Sequence, residues 1–256
     1  MALGRYRFGD HPRREDERLD VLERALDSGS RSVLLEAGVQ PGWRCWEAGA
    51  GRGSIARWLA DIVGAAGHVV ATDLDQTRFD AGTTDVAFKR QDVLADPIPG
   101  AGFDLVHARF LLEHLPEPQL ALRRFREALR PGGMLVLEDS AGLAISATPK
   151  DEVFDRLRIP WEQAGLTVGW DATYGAKLMS DLGASGLVEV RGREYRHVAP
   201  GGEEWVHVGD GIERLRGELI AQGATGAQLD QVLLCLADPA NTITGPPVVA
   251  AWGRRS

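Results

Sequence analysis

The chain has 256 residues, with 29 Lys and Arg against 37 Asp and Glu and a formal net charge of −8. This length suits one well-buried α/β domain with a subdomain. The acidic balance disfavours nonspecific binding to nucleic acids or anionic membranes, because such binding depends on clustered basic residues. Cys45 and Cys235 lie far apart and outside any metal-ligand spacing, so neither a disulfide framework nor a metal site is expected. The charged N-terminus and the lack of a long apolar run predict a cytoplasmic protein without a membrane span.

The first half of the chain predicts alternating strands and helices. Apolar residues at helical spacing over 19–37 place residues 1–40 in an N-terminal helical segment. Buried-type apolar runs then predict strands at 44–48, 68–72, 86–90 and 103–108. Between and after them the pattern favours helices at 54–63, 76–85 and 117–129, the second of which is short and contains Gly82. This alternation is typical of a parallel sheet with crossover helices.

After a fifth strand at 134–137 the pattern changes. A helix that contains Pro160 is predicted at 150–165, followed by an irregular aromatic stretch to 175 and another helix to 186. An alternating strand at 187–197, one or two helices at 203–236 and a last strand at 248–253 complete the chain. The segment 141–178 lies after a strand edge and is expected to form a substrate cap.

The glycine-rich stretch Glu47-Ala48-Gly49-Ala50-Gly51-Arg52-Gly53 follows the first strand and opens the first crossover helix. Its glycines are spaced as G-x-G-x-G with Ser54 next, so it misses the G-x-G-x-x-G pattern of dinucleotide sites. The carboxylate of Glu47 would repel a pyrophosphate and attract a cation. Asp73, about 20 residues past the glycines, stands where ribose hydroxyls are held. A ribose together with a cation indicates S-adenosylmethionine.

Five motifs in this order are similar to those of the class I S-adenosylmethionine-dependent methyltransferases. They are the glycine stretch, Asp73, Gln91-Asp92-Val93, Phe103-Asp104-Leu105-Val106 and Leu129-Arg130-Pro131-Gly132-Gly133. The resemblance covers residues 40–140. It implies a Rossmann-like seven-stranded sheet in the order 3-2-1-4-5-7-6, flanked by helices and with an antiparallel last strand. It also implies S-adenosylmethionine as cofactor and S-adenosylhomocysteine as product.

The resemblance assigns cofactor contacts residue by residue. It places Glu47 at the methionine amino group, Asp73 on the ribose and Arg109 either at the surface or at the methionine end. The other assigned residues are Gly49, Gly51 and Gly53 beneath the ligand, Gln91, Asp92 and Val93 near the adenine, and Leu74 after the second strand.

Residues near both ends of the chain resemble small-molecule members of actinobacterial secondary metabolism. Tyr6-Arg7-Phe8-Gly9 resembles an N-terminal segment that folds over the cofactor, which makes Tyr6 a candidate contact. The implied domains are a lid segment at 1–40 and a methyltransferase domain at 41–256, with a helical insertion at 203–237. The expected acceptor is a hydroxyl or amine of a small molecule, and the expected assembly is a monomer or homodimer.

Methyl transfer from a sulfonium needs little beyond alignment of the acceptor in a dry site, although an acceptor hydroxyl or ammonium must lose a proton. His114, after the fourth strand, is the candidate general base, and a structural histidine bonded to backbone is the alternative. His107 alternates with Leu105 and is expected on the packed face of the sheet. Glu113 resembles an acid near a metal in some relatives, but no second ligand has a useful spacing, so no metal is predicted.

Three other functions remain to be weighed against small-molecule methylation. Some relatives bind S-adenosylmethionine and catalyse cyclisation, decarboxylation or hydroxylation, which no residue of this sequence excludes. A protein or nucleic-acid methyltransferase is the second alternative. Its nucleic-acid form is disfavoured by the acidic charge and by His107–Leu112, which stands where such enzymes carry Asn-Pro-Pro-Tyr or Asp-Pro-Pro-Tyr. A nicotinamide enzyme is disfavoured by Glu47 and Ser54.

Overall fold

A computed structural model describes residues 12–75, 77, 79 and 86–256, and side chains from residue 17 onward. Its helices are α1 (Pro12–Ala37), α2 (Ser54–Val63), α3 (Pro118–Ala128), α4 (Val153–Thr167), α5 (Leu178–Ala184), α6 (Val206–Arg214), α7 (Arg216–Ala221) and α8 (Gly226–Ala237). Its strands are β1 (Arg44–Ala48), β2 (His68–Asp73), β3 (Val86–Arg90), β4 (Phe103–Arg109), β5 (Leu129–Ser140), β6 (Ser146–Thr148), β7 (Leu187–Tyr195), β8 (Val198–Pro200), β9 (Thr242–Thr244) and β10 (Val248–Arg255).

The large sheet has seven strands in the order β3-β2-β1-β4-β5-β10-β7. Strands β1 to β5 pair in parallel, and β10 runs antiparallel to both β5 and β7. Counted along this sheet, β7 and β10 are its sixth and seventh strands, so the predicted order and the antiparallel last strand are confirmed. The carboxyl ends of β1, β2 and β4 therefore meet at one edge, where open α/β sheets bind ligands.

Each face of this sheet has its own hydrophobic core. On one face α1 and α2 bury a cluster that includes Leu34, Leu59, Leu105 and Val136. On the other, α3 and α5 bury Phe125 and residues of β4 and β5. Long apolar strands covered on both faces are characteristic of parallel sheets. The two cores hold the sheet in place, and the loops at its carboxyl edge are therefore held in position.

A third core lies outside the large sheet and joins distant parts of the sequence. It contains Leu157 and Trp161 of α4 together with Ile212 of α6, Leu229 of α8 and Ile243 of β9. A small antiparallel sheet, β6-β9-β8, borders it. The segment after β5 and the later helices are thus packed into one unit.

Local details differ from several expectations. The region 203–236 contains three helices after a 3-10 turn at Glu203–Trp205, rather than one or two. Gly223 has φ 98° after α7, and Thr225 then begins α8 with a capping box to Gln228. A 3-10 turn at Tyr174–Lys177 precedes α5, where one helix was predicted.

Three further findings concern the first helix, the predicted helix at 76–85 and the question of a membrane span. Residues 12–37 form one continuous helix. The predicted helix at 76–85 lies largely outside the described residues. In the described part of the chain, none of the helices is long and apolar enough to cross a bilayer.

Candidate active site

The glycine stretch forms a tight turn between β1 and α2. Gly49, Gly51 and Gly53 have φ values of 70°, 55° and 85°, a region that residues with a Cβ adopt only with strain. The N–H groups of Gly49 and Ala50 both donate to the Thr72 carbonyl, at 2.8 and 2.9 Å. The three predicted glycines therefore leave a bare backbone at the carboxyl end of β1, which suits close approach of a ligand.

Asp73 holds this turn from the neighbouring strand. Its Oδ2 accepts the Gly51 N–H at 2.8 Å, and its Oδ1 accepts the Asp75 N–H at 3.0 Å. The side chain is partly exposed. An acidic group that both orders the turn and reaches solvent can still accept hydrogen bonds from ribose hydroxyls, because an ionised carboxylate has about four acceptor positions.

The residues after β3 lie at the next position along the same edge. Gln91 is buried, and its Nε2 donates to the Pro97 carbonyl at 2.7 Å. Asp92 accepts the Leu94 N–H at 2.8 Å and forms a turn. Val93 is buried in the core, whereas Leu74 is 52% exposed after β2. Their contacts with an adenine remain predictions.

Glu47 lies in a buried hydrogen-bonded chain that sequence reasoning did not predict. The ring of His107 stands between two acids, with Nδ1 2.6 Å from Glu47 Oε2 and Nε2 2.8 Å from Glu138 Oε1. Tyr195 donates its hydroxyl to Glu138 Oε2 at 2.6 Å. His107 is fully buried on the same face as Leu105, so its predicted side of the sheet is confirmed.

The geometry of these hydrogen bonds indicates that His107 is an imidazolium. Ionised carboxylates only accept hydrogen bonds, so both ring nitrogens must carry a proton to satisfy both partners. Burial alone would lower the pKa of His107, but the charges of Glu47 and Glu138 and their hydrogen bonds raise it from 6.5 to about 9. The same bonds from His107 outweigh burial and lower the pKa of Glu138.

Arg109, two residues along β4, connects the sheet to α1. Its guanidinium donates to Ser30 Oγ at 2.8 Å and to Asp27 Oδ1 at 3.0 Å. Burial would lower the pKa of Arg109, but Tyr195 and the nearby acids raise it. Of the two alternatives weighed for Arg109, the exposed surface residue is wrong, and the cofactor contact remains a prediction.

The loop after β4 passes over the glycine turn. Phe110 has φ 51°, an uncommon conformation for a bulky residue, and its N–H donates to the Glu138 carbonyl at 2.7 Å. A Cβ added to Gly49 would lie 3.2 Å from the side chain of Leu111. The chain then makes a 3-10 turn at Leu112–His114. This reversal carries His114 to the rim of the site.

His114 is largely buried, and its environment makes it a weak base. Its ring stacks on Trp170 with centroids 6.2 Å apart, and Nε2 lies 3.5 Å from Glu113 Oε1. Burial, with a smaller effect from Arg18, lowers the pKa of His114 to about 3. The imidazole is therefore neutral at physiological pH and can accept a hydrogen bond, while its capacity to hold a proton is low.

Two buried acids support the His114 loop from below. Glu113 accepts the Ser140 N–H and the Trp170 indole N–H, both at 2.9 Å. Burial raises the pKa of Glu113, and burial together with the Glu113 charge raises that of Asp139 well above its usual value. No group of three or more His, Cys, Asp or Glu among residues 12–75, 77, 79 and 86–256 could hold a metal ion. Tyr6, the predicted lid contact, lies outside the described residues.

Residues 46–137 match the family model described as a methyltransferase domain. This range contains the glycine turn, Asp73, Asp92 and the loop after β4, on the sheet order described above. Within these residues the chain is similar to the S-adenosylmethionine-dependent methyltransferases. The cofactor of this domain is S-adenosylmethionine, and the product is S-adenosylhomocysteine.

Curated relatives match part of this chain. The ubiquinone/menaquinone biosynthesis C-methyltransferase UbiE of Ectopseudomonas mendocina is 33% identical over 132 residues, covering 47% of this chain and 52% of the relative. The protein of the same name from Shewanella frigidimarina is 28% identical over 153 residues, covering 54% and 58%. The chain thus spans a little over half the length of these relatives.

Solved structures share the fold over most of this chain. The YcgJ protein of Bacillus subtilis has a TM-score of 0.61 at 14% identity and covers 87% of this chain and 96% of its own. Phosphoethanolamine N-methyltransferase 2 of Haemonchus contortus, in complex with phosphomonomethylethanolamine and S-adenosylhomocysteine, has a TM-score of 0.60 at 16% identity and covers 98% of this chain and 60% of its own. At these identities the likeness shows the fold alone.

Proposed function

We propose that this protein transfers a methyl group from S-adenosylmethionine to a hydroxyl or amine of a small molecule, with a secondary metabolite as the expected acceptor. The observation that supports this best is the edge formed by β1 and β2. There the bare glycine turn, the Glu47 carboxylate and Asp73 lie together, with Asp73 bonded to the turn itself. This combination offers a backbone free of side chains at the glycine turn, a carboxylate for the methionine ammonium and acceptor oxygens for the ribose hydroxyls.

The residues present fit the cofactor. S-adenosylmethionine would supply the methyl group, on a sulfonium that leaves as the neutral thioether of S-adenosylhomocysteine. Glu47 would hold the methionine ammonium, and Asp73 would accept from the ribose hydroxyls. Leu111 lies against Gly49 and covers the glycine turn on that side. The protein's task is then to orient the acceptor in line with the sulfur.

His114 would meet the acceptor at the rim of this site. Because its pKa is lowered to about 3, the ring is neutral and presents a nitrogen lone pair to an acceptor hydroxyl. Such a contact would orient the acceptor hydroxyl, while the low pKa of His114 makes the ring a poor acceptor of its proton.

The cap is the proposed source of acceptor specificity. We assign this role to residues 141–178 and 203–237, which share one core, and a lid role to residues 1–40. The family match ends at residue 137, before the cap begins. The family match therefore bears on the cofactor half of the site more than on the acceptor half.

Calorimetric titration with S-adenosylmethionine and S-adenosylhomocysteine, with NAD as control, tests the cofactor half. We expect micromolar binding of both sulfur ligands and none of NAD. Incubation with S-adenosylmethionine and a panel of phenols, alcohols and amines then tests transfer by mass spectrometry. S-adenosylhomocysteine formed together with a product heavier by one methylene would support the proposal. An altered but unmethylated product would instead favour an S-adenosylmethionine-dependent cyclase or decarboxylase.

A further inference from the structure

The strand register brings Glu47, His107 and Glu138 together across three neighbouring strands. Glu47 of β1 is the direct partner of His107 on β4, and Arg109 of β4 is the partner of Glu138 on β5. Since β4 lies between β1 and β5, its histidine is flanked by an acid on either side. His107 thus lies beneath the residue proposed to bind the methionine end of the cofactor.

Glu47 needs such support because of its length. A glutamate has one more rotatable bond than an aspartate, so its carboxylate gains reach and loses a fixed direction. The bond from His107 uses Oε2 of Glu47. The other end of the imidazole is fixed by Glu138, which Tyr195 holds in turn. Each member of the chain therefore restricts the next.

Charged and polar groups from five elements surround this buried histidine. The groups facing His107, directly or through its partners, are Glu47 from β1, Glu138 from β5, Tyr195 from β7, Arg109 from β4 and Asp27 from α1. Arg31 of α1 also pairs with Asp27, at 3.3 Å, so the acids and cations of this group balance at formal charges. The ammonium of a bound cofactor would therefore meet Glu47 in a group whose other charges are already paired.

We propose that His107 is a positioning residue for the cofactor, an inference that rests on the proposed function. It holds Glu47 by Oε2 and directs Oε1 to the ammonium of the methionine end. His107 does not itself touch the ligand. Loss of the imidazolium would leave Glu47 and Glu138 as two buried acids without the cation between them, and Glu47 would lose the bond that orients its carboxylate.

The test compares S-adenosylhomocysteine with 5′-methylthioadenosine, which has the same nucleoside and sulfur but no amino-acid end. Calorimetry is done on the wild-type protein, His107→Gln, Glu47→Gln and the double variant. In His107→Gln we expect affinity for S-adenosylhomocysteine to fall by about tenfold or more, while that for methylthioadenosine changes by less than roughly threefold. The double variant should bind as Glu47→Gln does, because His107 acts through Glu47.

A matched control is His197→Gln, since His197 also pairs with a glutamate, Glu204, but lies away from the glycine turn. It should leave both affinities unchanged. Equal weakening of both ligands in His107→Gln, or no loss for S-adenosylhomocysteine, would overturn the positioning role while the proposed function stands. If wild-type protein binds neither ligand, the proposed function fails, and the positioning role fails with it.

A measurement on wild-type protein decides the question even if His107→Gln does not fold. The Nδ1 proton shared between His107 and Glu47 over 2.6 Å should give a far-downfield proton resonance. That resonance should move on addition of S-adenosylhomocysteine and stay in place with methylthioadenosine. A resonance that is insensitive to the first ligand, or that responds alike to both, would refute the proposal.

Discussion

The imidazolium between Glu47 and Glu138 makes the stability of the fold depend on pH in a defined window. The pKa of His107 is about 9 in the folded protein, against 6.5 for an ordinary histidine. A group whose pKa is raised by folding stabilises the folded state fully below its unfolded pKa and loses this contribution as pH rises through the folded value. The stabilisation is therefore complete near pH 6 and lost by about pH 10.

The size of the effect follows from this difference in pKa. Each pH unit between the two pKa values is worth about 1.4 kcal/mol, so His107 contributes about 3 kcal/mol in all. Between pH 7 and 8.5 the free energy of unfolding should fall by about 2 kcal/mol. With a denaturant slope of about 2 kcal/mol per M, the urea midpoint should move down by about 1 M.

Urea unfolding followed by tryptophan fluorescence, at pH 7 and 8.5, measures this change. Other buried groups need a control. Asp139 and Glu113, whose pKa values are also raised, act in the same direction as His107. Cys45, whose pKa burial raises, contributes only above about pH 9. The double variant Glu47→Gln/Glu138→Gln keeps Asp139 and Cys45 but removes the charges that hold the imidazolium.

In that double variant burial should leave His107 neutral, because only the desolvation effect on its pKa remains. The fall in stability between pH 7 and 8.5 should then shrink by most of its wild-type size. A wild-type midpoint that is constant over this range would refute the imidazolium. An equal fall in the wild type and the double variant would assign the effect to other groups.

Three further predictions concern the cofactor turn and the rim. Asp73→Ala should weaken S-adenosylhomocysteine binding by about 1.5 to 3 kcal/mol in calorimetry, while Asp73→Asn, which keeps one acceptor oxygen, should lose less; equal losses would mean that charge rather than acceptor geometry matters. His114→Ala should lower the rate of methyl transfer by about a hundredfold with cofactor affinity intact, and a change below about threefold would leave the ring with a structural role. Gly53→Ala would place a Cβ 2.3 Å from the ring of Phe79 and should abolish cofactor binding. The control Gly64→Ala, with φ 63° and open space around it, should cost only about 1 to 2 kcal/mol of stability in urea unfolding. Cofactor binding by Gly53→Ala at wild-type affinity would contradict the assigned turn.

The sequence predicted the large sheet well because its signals are local. Buried apolar runs marked β1 to β4, and the glycines between β1 and α2 marked a turn that needs positive φ. The order of the strands came from the resemblance, since spacing alone does not specify it. The small sheet escaped prediction because β6, β8 and β9 have three residues each, too few to show a period.

The partners of the predicted site residues could not be predicted in the same way. Alternation placed His107 on the face of Leu105, but its partner Glu138 lies 31 residues further along the chain. Tyr195, which bonds to Glu138, lies another 57 residues away. Such pairs depend on strand register, which a single sequence does not encode locally. One local signal was available and overlooked: Thr225 with Gln228 three residues later is a capping box at the start of α8.

The buried charges also explain why α1 belongs to the site. Arg109 binds Asp27 and Ser30 of this helix, and the ring of Tyr195 lies so close to Gly29 that an added Cβ would be 2.5 Å from it. The Tyr195 hydroxyl also ends the chain that holds Glu47. The helix is therefore fixed to the same network that we propose orients the cofactor. Because α1 also contacts α6, the helix links this network to the segment that we propose selects the acceptor.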